Sequence, residues 1–99
     1  MPFAPEKPLE GCLKLEVVYA LPLLKSEKKE VRERGWAYHW KKPDGDNLVK
    51  MFQDTMGRLL FWNDDAQVVI LKFIKIRSLA PGITVRLGNV SEETKFNTY

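Results

Sequence analysis

Asp44-Gly45-Asp46-Asn47-Leu48-Val49-Lys50-Met51-Phe52-Gln53-Asp54-Thr55-Met56-Gly57 is the stretch on which the reading of this chain turns. Leu48, Met51, Phe52, Thr55, Met56 and Leu59 recur at the spacing of one face of an α-helix, and Asp46, Lys50, Asp54 and Gly57 fall on the other. Pro43 disfavours a helical conformation at Lys42, so the helix starts beyond it, capped by Asp44 or Asp46. Gly57 is the expected helix end, with Leu59 and Leu60 adding an irregular turn.

On the N-terminal side, Trp36, Tyr38 and Trp40 alternate with Ala37, His39 and Lys41, which predicts a strand with its aromatic face toward the core. Before it, Lys25 to Arg34 is dense in both charges and reads as a loop or short exposed helix, with Glu30 and Arg34 spaced as an i,i+4 pair. Farther upstream, the odd positions Leu13, Leu15, Val17, Tyr19 and Leu21 are apolar while Lys14 and Glu16 lie between them, the period of a strand that Pro22 ends. Residues 1–10 carry Pro2, Pro5 and Pro8 and read as an extended arm.

On the C-terminal side, Phe61-Trp62-Asn63 leads into Asp64-Asp65. Val68 to Ile76 is apolar on both faces apart from Lys72 and Lys75, as expected of a central strand or one at a subunit interface. Pro81-Gly82 marks a turn, Ile83, Val85 and Leu87 form a last strand, and residues 89–99 form a polar tail. The expected fold is α+β, one domain over residues 1–99, with about four strands in a mixed sheet and one main amphipathic helix.

The formal charge of +3 suits a polyanionic partner, yet acidic pairs bracket the helix. If the strand after Asp65 lies beside the strand ending near Lys41, Asp65 can meet Asp44 and Asp46. Carboxylates on short side chains suit Mg²⁺, or Mn²⁺ in its place, with phosphate oxygens as further ligands; Lys50, one turn after Asp46, would offset charge on such a phosphate. This pattern points to a metal-dependent nuclease. Each residue also has a plainer reading. Asp44 or Asp46 could be an N-cap worth ~1 kcal/mol, Lys50 could pair with Asp46 or Asp54, and Asp64-Asp65 could be turn residues bonding their own backbone.

Other chemistries are excluded by composition. His39 is the sole histidine and Cys12 the sole cysteine, so neither a structural zinc site nor an internal disulfide can form. Cys12, in an apolar alternating stretch, is expected to be a buried free thiol in a reducing, cytoplasmic setting. The apolar run from Val17 to Leu24 is too short for a membrane span, and no Gly-rich phosphate loop or nucleophile elbow occurs.

Lys42-Pro43-Asp44-Gly45-Asp46-Asn47-Leu48, then Lys50, Asp54 and Trp62-Asn63-Asp64-Asp65-Ala66-Gln67-Val68, together resemble the signature of the RusA-type Holliday-junction resolvases of bacteria and their phages. The resemblance runs from about Gly11 to Leu87. It implies a cytoplasmic α+β homodimer that binds four-way junction DNA and resolves it by paired, symmetric nicks with Mg²⁺ or Mn²⁺. Carried over by position, Asp44, Asp46 and Asp65 are the metal-binding acids, Lys50 the nearby lysine, and Asp64 an assisting acid. Lys28 and Lys29 lie in the basic region that would contact the DNA backbone, and Lys41 and Lys42 add to it. Two departures stand out. Gly45 replaces the family's apolar residue between the first two acids and is expected to loosen the corner. The arm stands where relatives carry a strand and a long helix, so the chain reads as N-terminally shortened. That leaves two alternatives to a junction resolvase: a nonenzymatic DNA-binding remnant, or a nuclease for other branched DNA.

Overall fold

The structure, a computed structural model, describes residues 5–90. Strand β1 (Leu13–Pro22) is followed by a short helix α1 (Lys29–Arg34), strand β2 (Trp36–Tyr38) and the main helix α2 (Gly45–Arg58). A 3₁₀ turn (Asp65–Gln67) then leads into β3 (Val68–Ser78) and β4 (Gly82–Asn89). The four strands form one mixed sheet in the order β2-β3-β1-β4. β1 runs parallel to β3 and antiparallel to β4, and β2 runs antiparallel to β3. The fold is the expected α+β arrangement, with α1 as a second, minor helix. No helix among the described residues is long and apolar enough to cross a membrane.

Alternation in β1 sets the core. Leu13, Leu15 and Val17 are fully buried, and Phe52 and Met56 of α2 join Phe61 and Trp62 in the same cluster. Each such side chain stabilises the fold by about 1.5–3 kcal/mol through loss of apolar contact with water. The buried stripe of α2 is narrower than its periodicity predicts, for Met51 and Leu59 are about half exposed.

The ends of α2 also differ from expectation. Gly57 does not end the helix; Arg58 is its last residue, and Leu60 takes the left-handed conformation (φ 61°). The Leu60 N–H meets the Gly57 carbonyl and the Phe61 N–H the Met56 carbonyl, both at 3.1 Å. These two bonds form a Schellman closure, which satisfies the last carbonyls and turns Phe61 and Trp62 back into the core.

Two expectations about faces are overturned. In β2 it is Ala37 that is buried; Trp36 and Tyr38 point the other way, and Trp40 is 82% exposed. The register explains this. Ala37 pairs with Arg77, which shares the α2 face with Val17 and Phe73, whereas Tyr38 pairs with Ile76 on the face that carries no helix. Cys12 is exposed, not buried, because it precedes β1 on the even positions shared with Lys14 and Glu16.

Residues 1–4 of the arm lie outside the described residues; its remainder bends at Glu6 and Lys7 and is docked. The Leu9 N–H bonds the Phe61 carbonyl at 2.9 Å, and Leu9 bridges to Trp62. β3 keeps an open edge. β2 pairs only with Ile76–Ser78, and the His39 N–H reaches the Lys75 carbonyl, so among the described residues no strand flanks Val68–Ile74 on that side.

Candidate active site

Two acidic positions are built at opposite ends of α2. At its N-terminal end, Lys42 and Pro43, joined by a cis peptide bond, lead into Asp44 at the N-cap. The Lys75 ammonium, reaching from β3, donates to the carbonyls of Lys41 and Pro43 and ties this corner to the sheet. His39 adds a second tie. Its Nε2 lies 2.9 Å from the Lys42 carbonyl, and Arg77 lies 3.3 Å from its Nδ1. With Arg77 donating to Nδ1, the ring proton sits on Nε2 and is given to Lys42. His39 is thus a strut of the corner.

The capping alternative for Asp44 is not realised. Its side chain makes no cap hydrogen bond; only its backbone carbonyl accepts from Leu48, at 3.2 Å. The carboxylate is half exposed, with Lys42 at 3.9 Å, a surface pair worth little in water. Asp46 lies in the first turn of α2, where the helix dipole favours negative charge. Lys50 follows on the exposed face and pairs with neither Asp46 nor Asp54 among the described residues. A Cβ on Gly45 would meet the Phe73 ring at 3.5 Å, an ordinary contact that an apolar residue could make.

At the other end, Asp65 is held by Trp62, a residue of the sequence signature to which spacing assigns no role of its own. The buried Trp62 indole donates to Asp65 Oδ1 at 2.7 Å. Gly57 makes room for the carboxylate, since a Cβ on it would lie 2.9 Å from that oxygen. Asp64 has the plainer role: its carboxylate accepts from the Ala66 N–H at 2.8 Å and caps the 3₁₀ turn. Gln67 closes the turn from the far side. Its carbonyl oxygen accepts from the N–H groups of Asn63 and Asp64, and its amide donates to the carbonyls of Leu9 and Gly11. A cleft of about 530 Å³ opens beside Asp65, lined also by Asp54 and Arg58.

The expected meeting of Asp65 with Asp44 and Asp46 does not occur within one chain. β3 does lie beside β2, but α2 separates the acids. At about 1.5 Å per residue, Asp46 and Gly57 stand about 16 Å apart along the helix. Among the described residues, no three metal-ligating side chains converge.

Of the basic candidates, Lys28 occupies the N-cap of α1, and Lys29 pairs with Glu33 at 3.8 Å in place of the expected Glu30–Arg34 pair. Arg34 instead donates to the Trp36 carbonyl at 2.8 Å. Lys28, Lys29, Lys41 and Lys42 are all exposed.

The chain is thus an α+β domain with a mixed sheet and one main helix, whose first turn carries an acid corner without a side-chain cap. The family is shown by comparison: the model of endodeoxyribonuclease RusA matches residues 1–88, and the chain belongs to that family. It is 37% identical over 92 residues to the uncharacterized protein YqaN of Bacillus subtilis (strain 168), covering 88% of this chain and 64% of that protein. It is 34% identical over 59 residues to the crossover junction endodeoxyribonuclease rusA of Lactococcus phage r1t, covering 60% of this chain and 45% of that one. The chain thus spans less than two thirds of the length of the curated relatives it matches. No solved structure matches it.

Proposed function

We propose that this protein is a divalent-metal-dependent endonuclease that nicks four-way DNA junctions as a homodimer. The observation carrying the proposal is the exposed Asp44–Asp46 corner, left without a side-chain cap in a family of endodeoxyribonucleases. Two hard oxygen donors on one helical turn fit Mg²⁺ or Mn²⁺. The bound cation would supply charge against the scissile phosphate and activate the attacking water.

The chain's own residues do the rest. Lys75 and His39 tie down the segment that leads into both carboxylates, and Lys50 offsets negative charge on the phosphate. Lys28, Lys29, Lys41 and Lys42 hold the backbone through counterion release, so binding falls steeply with salt.

Asp65 joins from a second copy in this reading. Antiparallel pairing of two β3 edges centred on Leu71 sets Val69 against Phe73 and opposes no like charges. It also carries the partner's turn at Asp65 toward the Lys41–Asp46 corner, which lies against Phe73 and Lys75. Each dimer then has two composite sites, as paired nicking requires.

The test is nicking of four-way junction, flap and linear duplex with Mg²⁺ or EDTA, alongside Asp65→Asn. Loss of activity in Asp65→Asn, with junction preferred, supports the proposal; no nicking by the intact protein, or undiminished nicking by the variant, sinks it. Subunit mixing tests the composite site. Asp46→Asn and Asp65→Asn, each inactive, should together regain single-strand nicking, because one site of the mixed dimer is intact. Failure of stably mixed dimers to regain it would place all the acids in one chain.

A further inference from the structure

Trp36, Tyr38 and Trp40 are the aromatics that alternation assigns to the core and the fold leaves outside, 36%, 68% and 82% exposed. They are not scattered. Trp36 and Tyr38 meet edge to face, their centroids 5.0 Å apart. A cation accompanies each indole: the Arg34 guanidinium stands 5.0 Å from the Trp36 ring centre and the Lys41 ammonium 5.4 Å from that of Trp40. Beyond Trp40 the chain passes through Lys41, Lys42 and Pro43 straight to Asp44, along the segment that Lys75 fixes.

We infer that this strip is a stacking platform for unpaired nucleobases, placed where it would hold bases splayed from a branch point beside the acid corner. The inference rests on the DNA-directed reading above. Every base offers a π face whatever its identity, so aromatic rings bind single strands without reading sequence. Cations beside the rings add phosphate attraction, and the guanidinium of Arg34 is itself a planar stacking group. Exposed aromatics alone would serve a protein partner equally well. Flanking by Arg34, Lys41 and Lys42, two of them set beside the indoles, favours a polyanion that carries bases. Lys41 and Lys42 therefore serve phosphates next to stacked bases, a narrower role than general backbone contact.

The experiment titrates the intact protein, in EDTA, with oligothymidylate and with an abasic oligomer of the same length, following tryptophan emission. Trp62 is buried, so quenching reports Trp36 and Trp40. Expected are saturable quenching by the base-bearing strand and affinity for the abasic strand weaker by on the order of tenfold or more. Trp40→Ala and Tyr38→Ala, at exposed positions, should each lower affinity for oligothymidylate several-fold and leave the abasic affinity and the thermal midpoint unchanged. Equal affinity for the two strands, no saturable quenching, or unchanged affinity in Trp40→Ala would overturn the inference. So would sedimentation in which Trp40→Ala turns a dimer into a monomer, which would make the strip a seat for a second copy. Because no cleavage is involved, a protein that stacks bases and never nicks would refute the nuclease and keep the platform. Unchanged junction nicking and oligonucleotide affinity in Trp40→Ala would do the reverse.

Discussion

Gly57 and Asp65 are fitted to each other: a Cβ on Gly57 would stand 2.9 Å from Asp65 Oδ1 and 3.4 Å from the Trp62 indole nitrogen. Inside a helix glycine costs about 1 kcal/mol relative to alanine, so its presence here needs a local reason, and the carboxylate supplies one. Gly57→Ala should gain helix propensity while pushing Asp65 and Trp62 aside. We expect a thermal midpoint within a few degrees of the parent, with junction nicking down by as much as about 100-fold from misplacement of one reacting group. Full activity in Gly57→Ala would show that the position of Asp65 is not critical.

Leu60 stores strain at the other side of the same turn. It holds φ 61° and is 59% exposed, so its side chain returns little burial for a conformation that suits glycine. Leu60→Gly should raise stability to urea by about 0.5–1 kcal/mol, the left-handed penalty less the added freedom of the unfolded chain. A lower urea midpoint would mean that Leu60 packs more than its exposure suggests.

Lys75 acts through the corner it holds. Lys75→Met keeps the length of the side chain and removes the donor, freeing the Lys41 and Pro43 carbonyls. Metal-dependent nicking should fall about tenfold or more, since Asp44 and Asp46 lose their fixed approach. Lys75→Arg should recover part of the loss. Activity equal to the parent in Lys75→Met would remove this positioning role.

Acid stability follows from Glu27. Arg77 donates to both of its oxygens, at 2.5 and 3.0 Å, and the Leu24 N–H adds a bond at 3.1 Å. Arg77 foremost, then Leu24, lowers the carboxyl from its ordinary 4.5 to about 2. The folded state therefore binds this proton more weakly than the unfolded chain does. The resulting stabilisation is complete above pH 4.5 and is lost as the pH falls toward about 2. Glu27→Gln should be less stable at neutral pH and show a flatter urea midpoint across that window. Parallel pH profiles for parent and variant would contradict the assignment.

The elements were legible in the sequence because burial imposes its own period: two along β1, close to four along α2. What escaped it depends on three-dimensional neighbours. In a strand of three residues, alternation says that Ala37 and Trp36 face opposite ways; only the presence of α2 on one side says which is buried. The acid residues were identifiable by spacing, but their separation depends on α2 continuing past Gly57, and on a closure at Leu60 that no glycine announces. The roles of Trp62 and Gln67, both within the signature, were not legible because their partners are fixed by that closure and, for Gln67, by a carbonyl 58 residues away.

That last contact makes one amide a latch. Gln67 Nε2 holds the arm at Leu9 and Gly11, and its oxygen holds the N–H groups of Asn63 and Asp64. Peeling the arm away and loosening the acidic turn are therefore one opening event, and the amide protons of Leu9, Asn63 and Asp64 should exchange with solvent at a shared free energy. A pull on the first strand's leader would be felt at Asp65.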